Sequence, residues 1–214
     1  METFATDTLF SSETGLGGIT CAQLFVGTKS KLTKIFGMRT ESEGPDTLED
    51  FIREYGAPYA LRSDNAKMPT GVNFKKILRK YNIKSENTKP HHPQQNPAEC
   101  RIQDVKRLTT KIMDRTGAPI YLWFFCMLHV VMLLNYTALE SLGWITPHQA
   151  CFGITPDISA LLQFTFFQPI YFSDKDIFPN AEERMGHWLG VAENKGDVLS
   201  YWILAENKQV WPGH

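Results

Sequence analysis

The order of hydrophobic periodicities along this 214-residue chain predicts an α/β fold: a mixed sheet with flanking helices, followed by a small β-rich module. Three observations carry that reading. The first forty residues alternate in strand fashion around glycine turns. Short strands and amphipathic helices then interleave as far as residue 152. Beyond residue 157 the chain returns to aromatic strand-like runs broken by Gly, Pro and Asp/Asn turns.

Strands are expected at Glu2–Leu9, Ile19–Val26 and about Leu32–Met38, as an antiparallel meander turned by Gly15-Leu16-Gly17-Gly18 and Gly27-Thr28-Lys29. Gly44-Pro45-Asp46 changes the period. Asp46 can cap a helix to about Tyr55, with Leu48, Phe51, Ile52 and Tyr55 on one face. Tyr59–Ser63 is a short strand. Thr70 can cap a helix with Phe74, Ile77, Leu78 and Tyr81 inward, and Ile83–Asn87 is another strand. A proline-rich loop, Thr88–Asn96, precedes a helix from Pro97 to about Arg115, a second over Ile120–Leu139, and a short one after Pro147. Trp123, Phe124, Phe125 and Trp144 read as core, and His129 as a satisfied core histidine. Phe164–Phe172, His187–Val191 and Ser200–Leu204 read as strands of the final module, so the expected boundaries are 1–156 and 157–214.

The composition is that of a globular chain, 43% hydrophobic and 12% aromatic, and it argues against disorder or low complexity. Cysteines 21, 100, 126 and 151 form no CxxC pair, which excludes a common zinc pattern and a disulfide framework. No basic-then-apolar leader opens the sequence. The longest apolar run, Ile120–Leu134, is short for a membrane span, which takes roughly 20 residues, and it contains His129; a buried helix of a reduced, intracellular protein is expected. Gly15-x-Gly17-Gly18 lacks the Lys-Ser/Thr of a phosphate loop, and His91-His92 has no Cys partner to build a zinc site.

The formal charge of −1 hides an asymmetry. Residues 62–115 carry 13 basic and 5 acidic groups, whereas residues 120–214 carry 4 and 9. A basic stretch of that kind fits either a polyanion-binding face or a solvated lysine-rich surface.

Three acids stand in distinctive settings: Asp7 in Thr6-Asp7-Thr8 on the first strand, Asp64 directly after a short strand, and Glu99 opening the helix after the proline-rich loop. Each also has a plain structural reading: a strand-end surface residue, an Asx turn, and the N3 acid of a capping box with Asn96 at N-cap and Pro97 at N1. Together, three carboxylates with neither His nor Cys beside them suit Mg²⁺ or Mn²⁺. Two such ions about 4 Å apart serve phosphoryl transfer. Gln103 and Lys106 share the helix face of Glu99, and Arg107 and Lys111 extend a basic flank. Ile102, Val105, Thr109 and Ile112 point to the core.

Thr6-Asp7-Thr8, Ser63-Asp64-Asn65-Ala66 and His91-His92-Pro93-Gln94-Gln95-Asn96-Pro97-Ala98-Glu99 together resemble the catalytic core of retrotransposon integrases, most closely the copia type. Thr146-Pro147-His148-Gln149-Ala150-Cys151-Phe152-Gly153 and Arg184-Met185-Gly186-His187-Trp188-Leu189-Gly190 resemble the segments that follow that core in copia polyproteins, so the resemblance covers nearly the whole chain. It implies an RNase H-like five-stranded mixed sheet and DNA strand transfer, in which a 3′-hydroxyl of element DNA attacks a target phosphodiester. It further implies that Asp7 bridges two metal ions while Asp64 and Glu99 each hold one, with Gln94, Gln95 and Asn96 near DNA. The implied partners are element and target DNA and further copies of the chain, without a membrane, in the nucleus or in a cytoplasmic virus-like particle.

The sequence departs from that pattern in two ways. Thirty-four residues separate Asp64 from Glu99, one fewer than the commonest retroviral spacing, and no His/His/Cys/Cys module precedes Asp7. A polyprotein fragment is therefore expected. Two other functions stay open: a nuclease of the RNase H kind, for which Asp104 and Asp114 are the only late acids of the basic helix, and a decayed or domesticated module that binds nucleic acid or protein without turnover.

Overall fold

The computed structural model describes residues 2–63, 72–87, 97–173, 183–193 and 200–213. Five strands form one sheet in the order β3-β2-β1-β4-β5: β1 Thr3–Phe10, β2 Cys21–Gly27, β3 Thr33–Met38, β4 Ala60–Ser63 and β5 Lys84–Asn87. β1, β2 and β3 are an antiparallel meander. β4 runs parallel to β1, with Ala5 level with Arg62, and β5 runs parallel to β4. This is the expected mixed sheet, with each meander strand shifted by only one or two residues from its expected bounds.

Helices cover both faces because strand residues alternate. Phe4, Phe25 and Leu61 pack under α1 (Gly44–Tyr55) and α2 (Val72–Lys80), against Leu48, Phe51, Phe74 and Ile77. On the other face, Ala5, Leu9, Ala22 and Leu24 meet α3 (Pro97–Thr116) and α4 (Trp123–Tyr136). α3 lies against β1 and β2, where Ala5, Ala22 and Ala98 are all fully buried. Their small side chains let the helix approach the sheet closely.

The C-terminal residues form an antiparallel sheet of order β6-β7-β8-β9: Pro169–Ser173, Glu183–Val191, Tyr201–Ala205 and Val210–Gly213. Leu189 and Leu204 of this sheet join the same apolar cluster as α4, so the two sheets share a core through that helix. Short helices α5 (Pro147–Phe152) and α6 (Ser159–Gln163) lie between them in the chain, and the Thr146 hydroxyl caps α5 by accepting from the Gln149 amide at 3.0 Å.

Several local expectations are corrected. Asp46 does not cap α1: a 3-10 turn at Glu41–Glu43 runs straight into Gly44, Pro45 occupies the first turn, and Asp46 lies inside the helix. Tyr81 falls after α2 and is exposed. The expected helix from Ile120 begins as a 3-10 turn and stops at Tyr136, because Thr137 is extended. Trp144 is 70% exposed rather than core, since its φ of 65°, after a left-handed Gly143, turns the side chain outward. Phe164–Gln168 is not strand, whereas α6 and β9 were not anticipated. The Thr70 cap lies outside the described residues. All four cysteines are free, and no described helix is long and apolar enough to cross a membrane.

Candidate active site

Asp7 sits on β1, the central strand, on the face that packs against α3 and α4, because Ala5 and Leu9 at two-residue spacing lie in that cluster. Its residue is 8% exposed, and Oδ1 accepts a 2.8 Å hydrogen bond from the Thr8 amide. The flanking threonines point the other way and lock the strand to β2. Thr6 Oγ1 donates to the Leu24 carbonyl at 2.9 Å, Thr8 Oγ1 donates to Gln23 Oε1 at 2.7 Å, and Gln23 Nε2 donates to Thr6. A one-residue slip would send Asp7 to the opposite face, so this polar clamp fixes where the carboxylate points. The Thr-Asp-Thr alternation was a visible signal for it, but the part played by Gln23 was not.

Glu99 is exposed in the first turn of α3. Its neighbour Ala98 is fully buried in the cluster that holds Ala5 and Leu9, so the first turn of α3 is anchored on the face of the sheet that bears Asp7. Glu99 at a helix N-terminus also meets a favourable dipole. Asp64, Gln94, Gln95 and Asn96 lie outside the described residues. Ser63 ends β4 immediately before Asp64.

Down α3, Ile102, Val105, Thr109 and Met113 are buried, Ile112 is partly so, and Gln103, Lys106, Arg107 and Lys111 are exposed, in the expected division of faces. Arg107 is engaged by Asp104 of the same helix at 3.2 Å. His129 is in the core, stacked on Phe166 and edge-on to Trp188, and burial holds its imidazole down to about 4. Its Nδ1 meets no hydrogen-bond partner among the described residues, so it is not the satisfied core histidine expected. Among the described residues no three His, Cys, Asp or Glu side chains group as a metal site. As a donor set, carboxylates on a central strand and on a helix first turn are oxygen ligands of the kind hard divalent cations take.

A five-stranded mixed sheet of this order, helices on both faces and a separate antiparallel sheet after it define the class: the integrase catalytic-core fold, of RNase H-like type. Solved structures that share it include retroviral ones. A chain of the simian T-cell lymphotropic virus intasome, in complex with PP2A regulatory subunit B56 gamma, aligns over 99% of this chain and 75% of its own, with TM-score 0.59 and 14% identity. The HTLV-2 integrase catalytic core domain in complex with magnesium aligns in its trimeric form over 70% of this chain and 95% of its own, with TM-score 0.56 and 17% identity. Its dimeric form aligns over 72% and 96%, with TM-score 0.55 and 17% identity. No family model matches the chain, and no curated protein matches it.

Proposed function

We propose that this chain is an integrase-type DNA strand transferase of the copia kind, with Asp7, Asp64 and Glu99 as its catalytic carboxylates. The observation that carries the reading is the placement of Asp7: a nearly buried carboxylate, clamped in register on the central strand, on the face where the first turn of α3 presents Glu99. The parallel register supports the third acid. β4 runs parallel to β1, with Ala5 level with Arg62, and it ends at Ser63, the residue before Asp64 in the sequence.

Mg²⁺ or Mn²⁺ ions, two of them, held by these carboxylates would supply Lewis-acid activation of the attacking and leaving oxygens. Asp7 contributes a nearly buried carboxylate, one oxygen of which accepts from the Thr8 amide on a strand tied to β2 by Thr8 and Gln23. Glu99 contributes a charge on an exposed helix end, where a substrate phosphate can approach. Gln103, Lys106 and Lys111 carry that approach along α3, and Gln94, Gln95 and Asn96 precede it in sequence. In the reaction the 3′-hydroxyl oxygen forms a bond to the target phosphorus, the bond to the target 3′-oxygen breaks, and the departing 3′-oxygen takes up a proton as the attacking one loses its own. The partners are element and target DNA, together with further copies of this chain. Residues 157–214 form a companion module to the 1–156 core, and the setting is the nucleus or a virus-like particle.

The test is the reverse reaction on a branched DNA substrate with Mn²⁺ or Mg²⁺, run on the purified chain beside Glu99→Gln. Metal-dependent joining that disappears in the variant is expected. A folded, DNA-binding protein that gives no product sinks the reading in favour of a decayed or domesticated module. Cutting without joining would favour a nuclease.

A further inference from the structure

β3 is an edge strand of the central sheet, and its outer side is not uniformly closed. In an antiparallel pair, alternate residues turn their backbone groups toward the partner and away from it. Leu32 accepts from the Gly27 amide, which places the even-numbered residues toward β2 and the odd-numbered ones outward. The outward ends are sealed by side chains. Asn135, buried on α4, accepts from the Thr33 amide at 2.8 Å and donates to the Thr33 carbonyl at 2.7 Å, as a neighbouring strand would. At the other end the Arg39 amide donates to Glu43 at 2.8 Å. Between them the amides and carbonyls of Ile35 and Gly37 face outward, with no partner among the described residues.

That open stretch is the floor of a groove of about 310 Å³. α1 makes one wall with Asp50, Glu54 and Tyr55, and α4 makes the other with Leu128, Val131 and Met132. Trp202 and Glu193 of the C-terminal residues close the end. The α4 wall is apolar and the α1 wall is acidic. Three carboxylates line the groove: Glu193 holds Lys34 at 2.8 Å above the Tyr55 ring, Asp50 meets Arg53 of its own helix at 2.8 Å in an exposed pair, and Glu54 is the third. Glu54 meets no basic side chain among the described residues. Burial, with Glu193 and Glu54 adding to it, raises the Tyr55 phenol. Nucleic acid is repelled by such a lining.

We propose that the β3 edge is a docking site for an extended, cationic peptide segment of a partner protein, which adds as a sixth strand along Ile35–Gly37. Its main chain takes the two free amides and two free carbonyls. Its Lys or Arg side chains turn to Asp50 and Glu54, and its alternate apolar side chains turn to Leu128 and Met132. A second copy of this chain fits less well, since two acidic grooves would face each other.

The probe is a fluorescent heptapeptide alternating lysine and valine, bound to the whole chain, with two further versions N-methylated on either the lysine or the valine amides. An added strand presents only every second amide to β3, so one methylated version should lose at least about tenfold in affinity while the other retains it. Hydrogen exchange at the Ile35 and Gly37 amides should slow on binding. Asp50→Lys with Glu54→Lys, at a partly exposed and an exposed position of α1, should cost about tenfold or more in affinity with the fold retained. The proposal is overturned by absence of binding, by equal binding of both methylated versions, or by unchanged exchange at Ile35 and Gly37. Protection of those amides by rising protein concentration alone would also overturn it, in favour of a second copy.

Discussion

On one face of the five-stranded sheet, stacked phenylalanines fill the layer; on the other, alanines let α3 approach while Leu9, Leu24, Trp123 and Phe124 fill the rest, with a carboxylate between the strand residues Ala5 and Leu9. Phe51 of α1 stacks on Phe25 at 4.6 Å and meets Phe4 edge-on at 5.0 Å and Phe36 at 6.4 Å. Opposite, Ala5, Ala22 and Ala98 bring α3 close, Asp7 is nearly buried, and Thr109 Oγ1 goes without a partner among the described residues. The difference separates two tasks. The aromatic face concentrates stability in large rings, while the alanine face gives up contact area to place polar groups where a helix end can reach them.

The largest effect should therefore come from the aromatic face. Phe51→Ala removes the ring that Phe4, Phe25, Phe36 and Tyr55 all touch, and is expected to cost about 3–5 kcal/mol in urea unfolding, against about 0.5–1.5 kcal/mol for Ile102→Val on the other face. Equal losses would break the comparison.

The side of α4 turned to Phe166 and Trp188 should show its character in acid. Burial holds His129 down to about 4, against an ordinary value of 6.5. The imidazole is thus neutral in the folded protein, and unfolding takes up a proton at any pH between those values. Stability is full above about 6.5 and falls as pH drops toward 4, by about 3 kcal/mol over that window. Urea titrations from pH 7 to pH 4 check it, and His129→Leu should flatten the curve. An acid limb that survives His129→Leu would assign the effect to other groups.

Asp7→Asn should separate function from fold. Joining of branched DNA is expected to fall by at least about 100-fold, beyond the loss that removing an outer-shell partner of a metal site produces. Thermal stability should hold or rise, because the variant no longer desolvates a charge. A variant that loses turnover only in step with its folded fraction would make Asp7 a structural residue.

The parts of this arrangement that were legible in the sequence are those written locally. Alternation and glycine turns marked β1 to β3, and the periodicity of Ile102, Val105 and Thr109 marked the buried face of α3 and hence which side Glu99 and Lys106 would share. Asp46 misled because an Asp after Gly-Pro reads as a cap, whereas the preceding 3-10 turn already supplies the helix entry. β9 was hidden because Val210-Trp211-Pro212-Gly213 carries turn residues and becomes a strand only by pairing with β8, Trp211 beside Ile203. The β3 groove had no local signal at all. Asn135 closes Thr33 across 102 positions, and the walls come from α1, α4 and the second sheet.

The smallest effect sharpens the comparison on the outer side of the alanine face, where α3 is solvated. Lys106 and Arg107 are adjacent, exposed and both basic, but Arg107 spends its charge on Asp104 at 3.2 Å. A lysine that neutralises one phosphate releases one counterion, so Lys106→Ala should lower the slope of log affinity against log salt by about 0.9 on duplex DNA and weaken all sequences alike. Arg107→Ala should lower it by less, because freeing Asp104 returns a repulsive charge while removing a cation that was already half neutralised; the bridge itself is exposed and contributes about 0–1 kcal/mol to stability. DNA-binding titrations at several salt concentrations read both slopes. A larger loss for Arg107→Ala would mean that DNA breaks the Asp104 bridge and that the basic flank, not the stripe in line with Glu99, is the path of the phosphate backbone.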